Sequence, residues 1–279
     1  MPELPEVETI KSALEKSIDN AKIESIDVRV SKLRNIIPIN IESKIKGSTI
    51  VKYERKAKYI IIYLDNDICL LWHMGMSGKI LITEKLPKQL NKHDHIIIKT
   101  SNGYLIYNDP RKFGLFDCCH KTELKKHKLF AKIGVEPLNK EFCGIYLYNK
   151  IKNKQIPIKA AIMDQSIVVG IGNIYASEAL FAAKISPLRL ACEISLKECN
   201  KLVAMAKDIL KQAIKAGGST LRDYGKPDGS LGYFQNQHCV YQKTGLPCPN
   251  CNCNIKNSGG IKKVVIAGRS TFYCPHKQK

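Results

Sequence analysis

Val7, Ile10, Leu14 and Ile18 recur at helical spacing, so the chain opens on one amphipathic helix over residues 5–17, with Pro5 suited to its first turn. From Ile23 to Cys119 the period changes. Short runs rich in β-branched and aromatic residues follow one another at 23–30, 49–53, 59–64, 68–74, 95–99, 104–107 and 115–118. Asp65-Asn66-Asp67 and Ser101-Asn102-Gly103 supply hairpin turns between them. Strands at this spacing without intervening helices predict an antiparallel sandwich.

The second half has a different texture. Residues 174–183 predict a helix, and Ser195 with Glu198 forms a capping box before Leu202, Val203, Ala206, Ile209, Leu210 and Ala213, a longer helix stopped near Gly217-Gly218. The Lys- and Asn-rich stretch 138–157 reads as the connection between the halves. After Tyr233, Cys248-Pro249-Asn250-Cys251 and Cys274 flank a predicted hairpin over 264–273, and Cys-x-x-Cys at a turn is the knuckle of a zinc ribbon. The expected fold class is α+β multidomain. An N-terminal antiparallel β-sandwich with a leading helix (1–135) is followed by a linker (136–155), a helical domain (156–235) and a zinc-ribbon-like β-hairpin (236–279).

Charge changes the picture from fold to partner. The chain of 279 residues carries 45 Lys and Arg against 25 Asp and Glu, a formal net charge of +20 spread over its length, which suits phosphate contacts. Solubility accounts for a basic surface equally well, so charge alone leaves the partner open. No apolar run approaches the roughly 20 residues that span a bilayer. No charged n-region leads into an apolar h-region either, so a soluble, intracellular, cytoplasmic monomer is expected. The odd number of cysteines, 11, argues against a disulfide framework and for reduced thiols with a metal site near the C-terminus.

The chemistry concentrates at the start. Once Met1 is removed, Pro2 is a free secondary amine, partly neutral near its pKa of roughly 7.7–8.0 and able to attack an aldehyde-like carbon, with the Glu3 carboxyl beside it for proton transfer. Downstream stand Arg55-Lys56-Ala57-Lys58-Tyr59, His73-Met74-Gly75-Met76-Ser77-Gly78 and Asn108-Asp109-Pro110-Arg111-Lys112-Phe113-Gly114. Further on come Gly172-Asn173-Ile174-Tyr175-Ala176-Ser177-Glu178 and Gly268-Arg269-Ser270-Thr271-Phe272-Tyr273-Cys274. With Pro2-Glu3-Leu4-Pro5-Glu6-Val7-Glu8-Thr9 these make six motifs in order. Together they resemble the formamidopyrimidine-DNA glycosylase family, bacterial base-excision enzymes related to endonuclease VIII, over nearly the whole chain. Leu4 fits the oxidised-purine branch better than the endonuclease VIII branch.

The resemblance implies a bifunctional glycosylase and abasic-site lyase acting on oxidised purines in double-stranded DNA, with a helix-two-turn-helix middle domain. A stacked base is out of reach, so the nucleotide must be everted into a pocket, and glycosylases are a standard example of flipping. The family pattern gives Pro2 the attack on the sugar, Glu3 the proton transfers, Lys58 the proton donation in β-elimination and Arg269 a role in δ-elimination. It places Met76, Arg111 and Phe113 in the vacated space, although Met76 and Phe113, beside strands, also suit ordinary core positions. His93, Arg111, Lys154 and Asn173 are implied to grip the backbone, Asn173 at a helix N-terminus that favours anions. The loop 219–234 is expected to read the everted base. His93 and His95 flank Asp94 at metal-like spacing without further ligands nearby. One departure stands at the C-terminus, where Cys274-Pro275-His276-Lys277 replaces the second Cys-x-x-Cys. Zinc is expected from Cys248, Cys251 and Cys274, with His276 or Cys253 as the fourth donor. Two rival readings are excision of oxidised pyrimidines by the same mechanism and a catalytically silent protein that only binds damaged DNA.

Overall fold

The computed structural model describes residues 2–219, 232–249, 251 and 255–279. The chain divides into two compact units, Met1–Ala131 with Ala216–Gln235 and Lys132–Lys215 with Asn236–Lys279.

In the first unit, helix α1 (Leu4–Ile18) starts after an extended Glu3 and buries Leu4, Val7, Ile10, Leu14 and Ile18, the stripe visible in the sequence. The elements that follow are β1 (Ile23–Val28), α2 (Ile41–Ile45), β2 (Ile50–Lys56), β3 (Tyr59–Leu64), β4 (Ile68–His73), β5 (Lys79–Thr83), β6 (Asp94–Thr100), β7 (Gly103–Asn108) and β8 (Leu115–His120). They form two four-stranded antiparallel sheets, ordered β1-β6-β7-β5 and β2-β3-β4-β8. Alternate residues of both sheets share one core with α1. Ile26, Ile96, Ile98, Leu105 and Tyr107 come from the first sheet, and Ile60, Ile62, Leu70, Trp72 and Phe116 from the second. The Trp72 ring lies 4.8 Å from Phe116 and 5.4 Å from Tyr107, edge to face. This is the expected sandwich, with β5 added.

The second unit is helical. It contains α3 (Gly144–Ile151), α4 (Ile158–Met163), α5 (Asn173–Ala183), α6 (Leu196–Lys215) and α7 (Ile255–Ser258), then the antiparallel pair β9 (Lys262–Ile266) and β10 (Arg269–Tyr273). Helix α5 is buried on nearly every side, so it is the central rod of this unit. The predicted capping box closes α6: Ser195 Oγ accepts from Glu198 N–H at 3.3 Å, and Ser195 N–H donates to Glu198 Oε2 at 2.9 Å. Arg189 also holds that carboxylate and pulls the Glu198 pKa down to about 2.

The two compact units divide the chain at other points than the four segments expected. The stretch 136–155, expected as a linker, contains α3, whose Leu147 and Ile151 are buried despite the polar composition around them. Residues 216–219 and 232–235, expected in the helical domain, instead belong to the first unit, where Tyr233 N–H donates to Ala216 O and Phe234 N–H to Gly218 O.

Candidate active site

Pro2 is buried at the start of α1, and the carboxylates of Glu3 and Glu6 behind it are buried too. Glu3 N–H donates to Glu6 Oε2 at 2.8 Å, and Ser219 N–H donates to Glu6 Oε1 at 2.8 Å. Glu6 therefore ties the terminus to the residue that begins the expected base-reading loop. Residues 220–231 of that loop lie outside the described residues. Gly218, at φ +78°, approaches Glu6 so closely that a Cβ there would sit 3.0 Å from Oε1.

Lys58 occupies the two-residue turn between β2 and β3, closed by the Lys56–Tyr59 pair, with Ala57 at φ +55°. Arg55 secures this turn: its Nη1 donates to Ala57 O at 3.1 Å and its Nε to Glu8 Oε2 of α1 at 2.7 Å. The same guanidinium thus fixes both Lys58 and the helix that carries Pro2. Beside Lys58, burial first, then the Lys58 and Arg34 cations, pull the His73 imidazole down to about 4. His73 is therefore neutral near pH 7. Its Nδ1 accepts Gly75 N–H at 2.9 Å, which starts the loop bearing Met76.

Met76 and Phe113 are 37% and 47% exposed, so neither is the core residue its neighbourhood would allow. Their loops touch. A Cβ on Gly75 would fall 2.4 Å from Gly114 N and from Phe113 C. The Arg111 guanidinium lies over the Phe113 ring, 4.8 Å from its centroid. His93 is half-buried, while Asp94 spends its carboxylate on Asn91 N–H and Asn108 Nδ2, both at 2.7 Å. His95 Nε2 donates to Asp109 O at 2.9 Å, which occupies the ring in a structural bond.

In the second unit Asn173 opens α5, and its Nδ2 donates to Ser270 O at 2.8 Å, next to Arg269. Lys159, 1% exposed, donates to Asn173 Oδ1 and, at 2.7 Å, to Thr271 Oγ1. Arg269 itself is exposed just after the Ala267-Gly268 turn, where both residues have positive φ. Lys154 is 3.9 Å from Asp164 and is not joined to this group by any described contact.

At the C-terminus the ligand atoms of Cys248, Cys251 and Cys274 lie within 4.8 Å of one another, a group able to hold a metal ion. Burial and the neighbouring Cys274 and Cys251 thiols push the Cys248 pKa up. The Cys251–Cys274 sulfur separation is 3.9 Å and His276 Nδ1 is 3.4 Å from Cys251 Sγ. Sulfurs on a tetrahedral zinc at about 2.3 Å would be roughly 3.7 Å apart, so the thiols fit, while His276 meets only Cys251. Lys277 points elsewhere, its ammonium 4.2 Å from the Phe181 ring centroid and 3.3 Å from Pro249 O. Cys253 lies outside the described residues.

Residues 1–116 match the formamidopyrimidine-DNA glycosylase N-terminal domain, and residues 133–224 match the formamidopyrimidine-DNA glycosylase H2TH domain. The chain belongs to the formamidopyrimidine-DNA glycosylase family. It is 48% identical over 275 residues to the formamidopyrimidine-DNA glycosylase of Wolbachia sp. subsp. Brugia malayi, covering 98% of both chains. It is 42% identical to that of Dinoroseobacter shibae, with both chains covered completely. Among solved structures it resembles a Lactococcus lactis FPG mutant in complex with a Fapy-dG containing DNA, at TM-score 0.90, 35% identity and 100% coverage of both chains. It also resembles the MutM (FPG) protein of Thermus thermophilus, at TM-score 0.86 and 32% identity, covering 99% of this chain and 98% of that one.

Sequence reasoning left Glu6, Asp109 and Lys159 without roles. Glu6 and Asp109 stand inside the quoted motifs, so their position was a signal. Lys159 carried none.

Proposed function

We propose that this glycosylase removes oxidised purines such as 8-oxoguanine and formamidopyrimidines from double-stranded DNA and then cleaves the strand at the resulting abasic site. The observation that carries this reading is the buried Pro2-Glu3 terminus, held by Glu6, on a helix that Glu8 and Arg55 tie to the β-turn carrying the buried Lys58. Family membership and relatives crystallised with Fapy-dG DNA support the substrate class.

After removal of Met1, the Pro2 nitrogen attacks the sugar C1′ of an everted nucleotide. The C1′–base bond breaks and the departing base takes a proton, leaving C1′ bonded to both Pro2 and O4′; after the amine loses its proton, protonation of O4′ and cleavage of the C1′–O4′ bond open the ring and give the iminium between Pro2 and C1′. Glu3 lies next to the reacting nitrogen and serves the proton transfers that open the sugar ring. The iminium acidifies the C2′ hydrogen; its loss expels the 3′ phosphate, with Lys58 as proton donor. A second elimination releases the 5′ phosphate with Arg269 assisting. Met76, Arg111 and Phe113 fill the vacated space, while His93, Arg111, Lys154 and Asn173 hold phosphates. Cys248, Cys251 and Cys274 would hold a zinc ion, with His276 as the candidate fourth donor, and the ion would supply structural cross-linking at the base of the β9–β10 hairpin rather than chemistry. The terminal thiol group and the His276 contact support this assignment.

Borohydride reduction during reaction with a duplex containing 8-oxoguanine opposite cytosine tests the reading. The expected product is a cross-link mapped by mass to Pro2, with Pro2→Gly cutting its yield strongly. A cross-link on a lysine side chain with Pro2 unmodified would refute the assignment. Running the same assay on oxidised-pyrimidine duplexes ranks the rival substrate class.

A further inference from the structure

Asp109 is fully buried and touches no solvent, yet three elements of the first unit converge on it. Its Oδ1 accepts from Ser77 Oγ–H at 2.7 Å, in the loop after β4 that bears Met76. Its Oδ2 accepts from Gly114 N–H at 2.8 Å and from Tyr107 O–H at 3.2 Å, one at each end of the segment that bears Arg111 and Phe113. Its backbone extends the same knot. Asp109 N–H donates to His93 O at 3.0 Å, and Asp109 O accepts from Lys112 N–H at 3.2 Å and His95 Nε2 at 2.9 Å.

The packing leaves this knot little slack. A Cβ on Gly114 would lie 1.6 Å from the Tyr107 hydroxyl, and one on Gly78 would lie 2.5 Å from it and 2.2 Å from Met74 O. Glycine at these points lets the two loops close over the phenol, whose hydroxyl then reaches the carboxylate. A buried carboxylate needs donors around it, and here each donor comes from a segment that ends in an exposed side chain.

We propose that Asp109 is the positioning residue of the wedge, holding the Met76 loop and the Arg111–Phe113 loop as one rigid unit with His93 at its flank. This rests on the reading that Met76 and Phe113 enter the space left by the everted nucleotide. Asp109 touches no DNA. It acts by keeping two exposed apolar side chains from collapsing onto the protein or fluctuating apart, which would otherwise have to be reversed on each encounter with a lesion.

The test compares three sets of full-length variants on a duplex with a fluorescent reporter base beside 8-oxoguanine. The first set holds the clamp variants Ser77→Ala and Tyr107→Phe, singly and together. The second is the wedge variant, Met76→Ala with Phe113→Ala, and the third combines the clamp and wedge changes in one chain. Asp109→Asn, which turns an amide N–H2 toward a donor, is added only if it folds; the Ser77 and Tyr107 variants do not depend on it. Each clamp change should lower the eversion signal and the single-turnover excision rate about fivefold, the effect of weakening one charge-assisted hydrogen bond. Affinity for undamaged duplex and β-elimination at a preformed abasic site should stay within about twofold, because phosphate contacts carry the former. In the wedge background the clamp changes should cost nothing further. Wild-type eversion in the clamp variants, or equal losses in excision, lyase activity and duplex affinity, would overturn the positioning role. An unchanged eversion signal in the wedge variant would remove the wedge itself and with it the role of Asp109.

Discussion

An ammonium group has three donors and no acceptor, and at Lys159 the oxygens that receive them come from two distant parts of the chain. Asn173 Oδ1 stands at the start of α5, while Thr271 Oγ1 and Ser270 O stand on β10. The buried lysine thus aligns Asn173 with the strand that begins at Arg269. Lys159→Met preserves the aliphatic stem and removes the donors, leaving buried oxygens short of partners. It should cost about 1–3 kcal/mol of stability and weaken binding to a duplex with a stable abasic analogue, both of which thermal unfolding and titration measure. Loss of stability with wild-type DNA affinity would confine Lys159 to a structural part. None of this was legible in advance, because one lysine among 45 Lys and Arg is indistinguishable by composition and its partner Thr271 is 112 positions away. Pro2 and Glu3 stood out for the opposite reason, a potential free amine next to a carboxyl at the terminus, whereas Lys58 was marked only by the family pattern.

Elements were legible where a buried stripe is continuous and local. The α1 stripe, the β3 strand at residues 59–64 and the α6 capping box all follow from adjacent residues. Strand β5 was passed over because it is short, exposed at alternate positions and preceded by the Gly- and Ser-bearing wedge loop; only its pairing with β7 defines it. Helix α3 was hidden by the Lys and Asn around it, since its buried side shows only Gly144, Leu147 and Ile151. The β9–β10 hairpin was marked by its cysteines, and there the structure sharpens the metal question. His276 Nδ1 faces Cys251 Sγ while the Lys277 ammonium packs on Phe181, so His276→Ala should lower zinc retention after mild chelation. Lys277→Cys should raise it, together with thermal stability, by offering a thiolate in place of the imidazole. Elemental analysis decides between them. Equal zinc in wild type and His276→Ala would exclude His276 as a ligand.

At the scale of the whole molecule, the charge of +20 favours a polyanionic partner, and among the described residues no helix is long and apolar enough to cross a membrane. What composition could not convey is how burial sets the response to acid. His73 and His238 are both held at about 4, each by burial first, then by the neighbouring Lys58 and Arg34 cations for His73 and by Lys243 for His238. Both values lie below the roughly 6.5 of an exposed imidazole. Between pH 6.5 and 4 the unfolded chain therefore takes up protons that the folded chain refuses, so stability falls as the pH is lowered through that window and levels off below it with respect to these groups. Each histidine contributes on the order of 3 kcal/mol across the window. Glu198 acts lower down: its folded pKa of about 2 means that its stabilisation is complete above its ordinary value near 4.5 and is lost only as the pH falls from there toward 2. The Glu178 carboxyl, raised by burial, works in the opposite direction, binding a proton more readily in the folded state, and so blunts the histidine effect. Denaturant unfolding at closely spaced pH values should show a falling free energy from pH 6.5 to 4. In His238→Gln, whose substituted position is remote from the proposed catalytic groups in sequence, the slope should be shallower by about one proton, and parallel curves for the two proteins would show that His238 does not titrate as its burial demands.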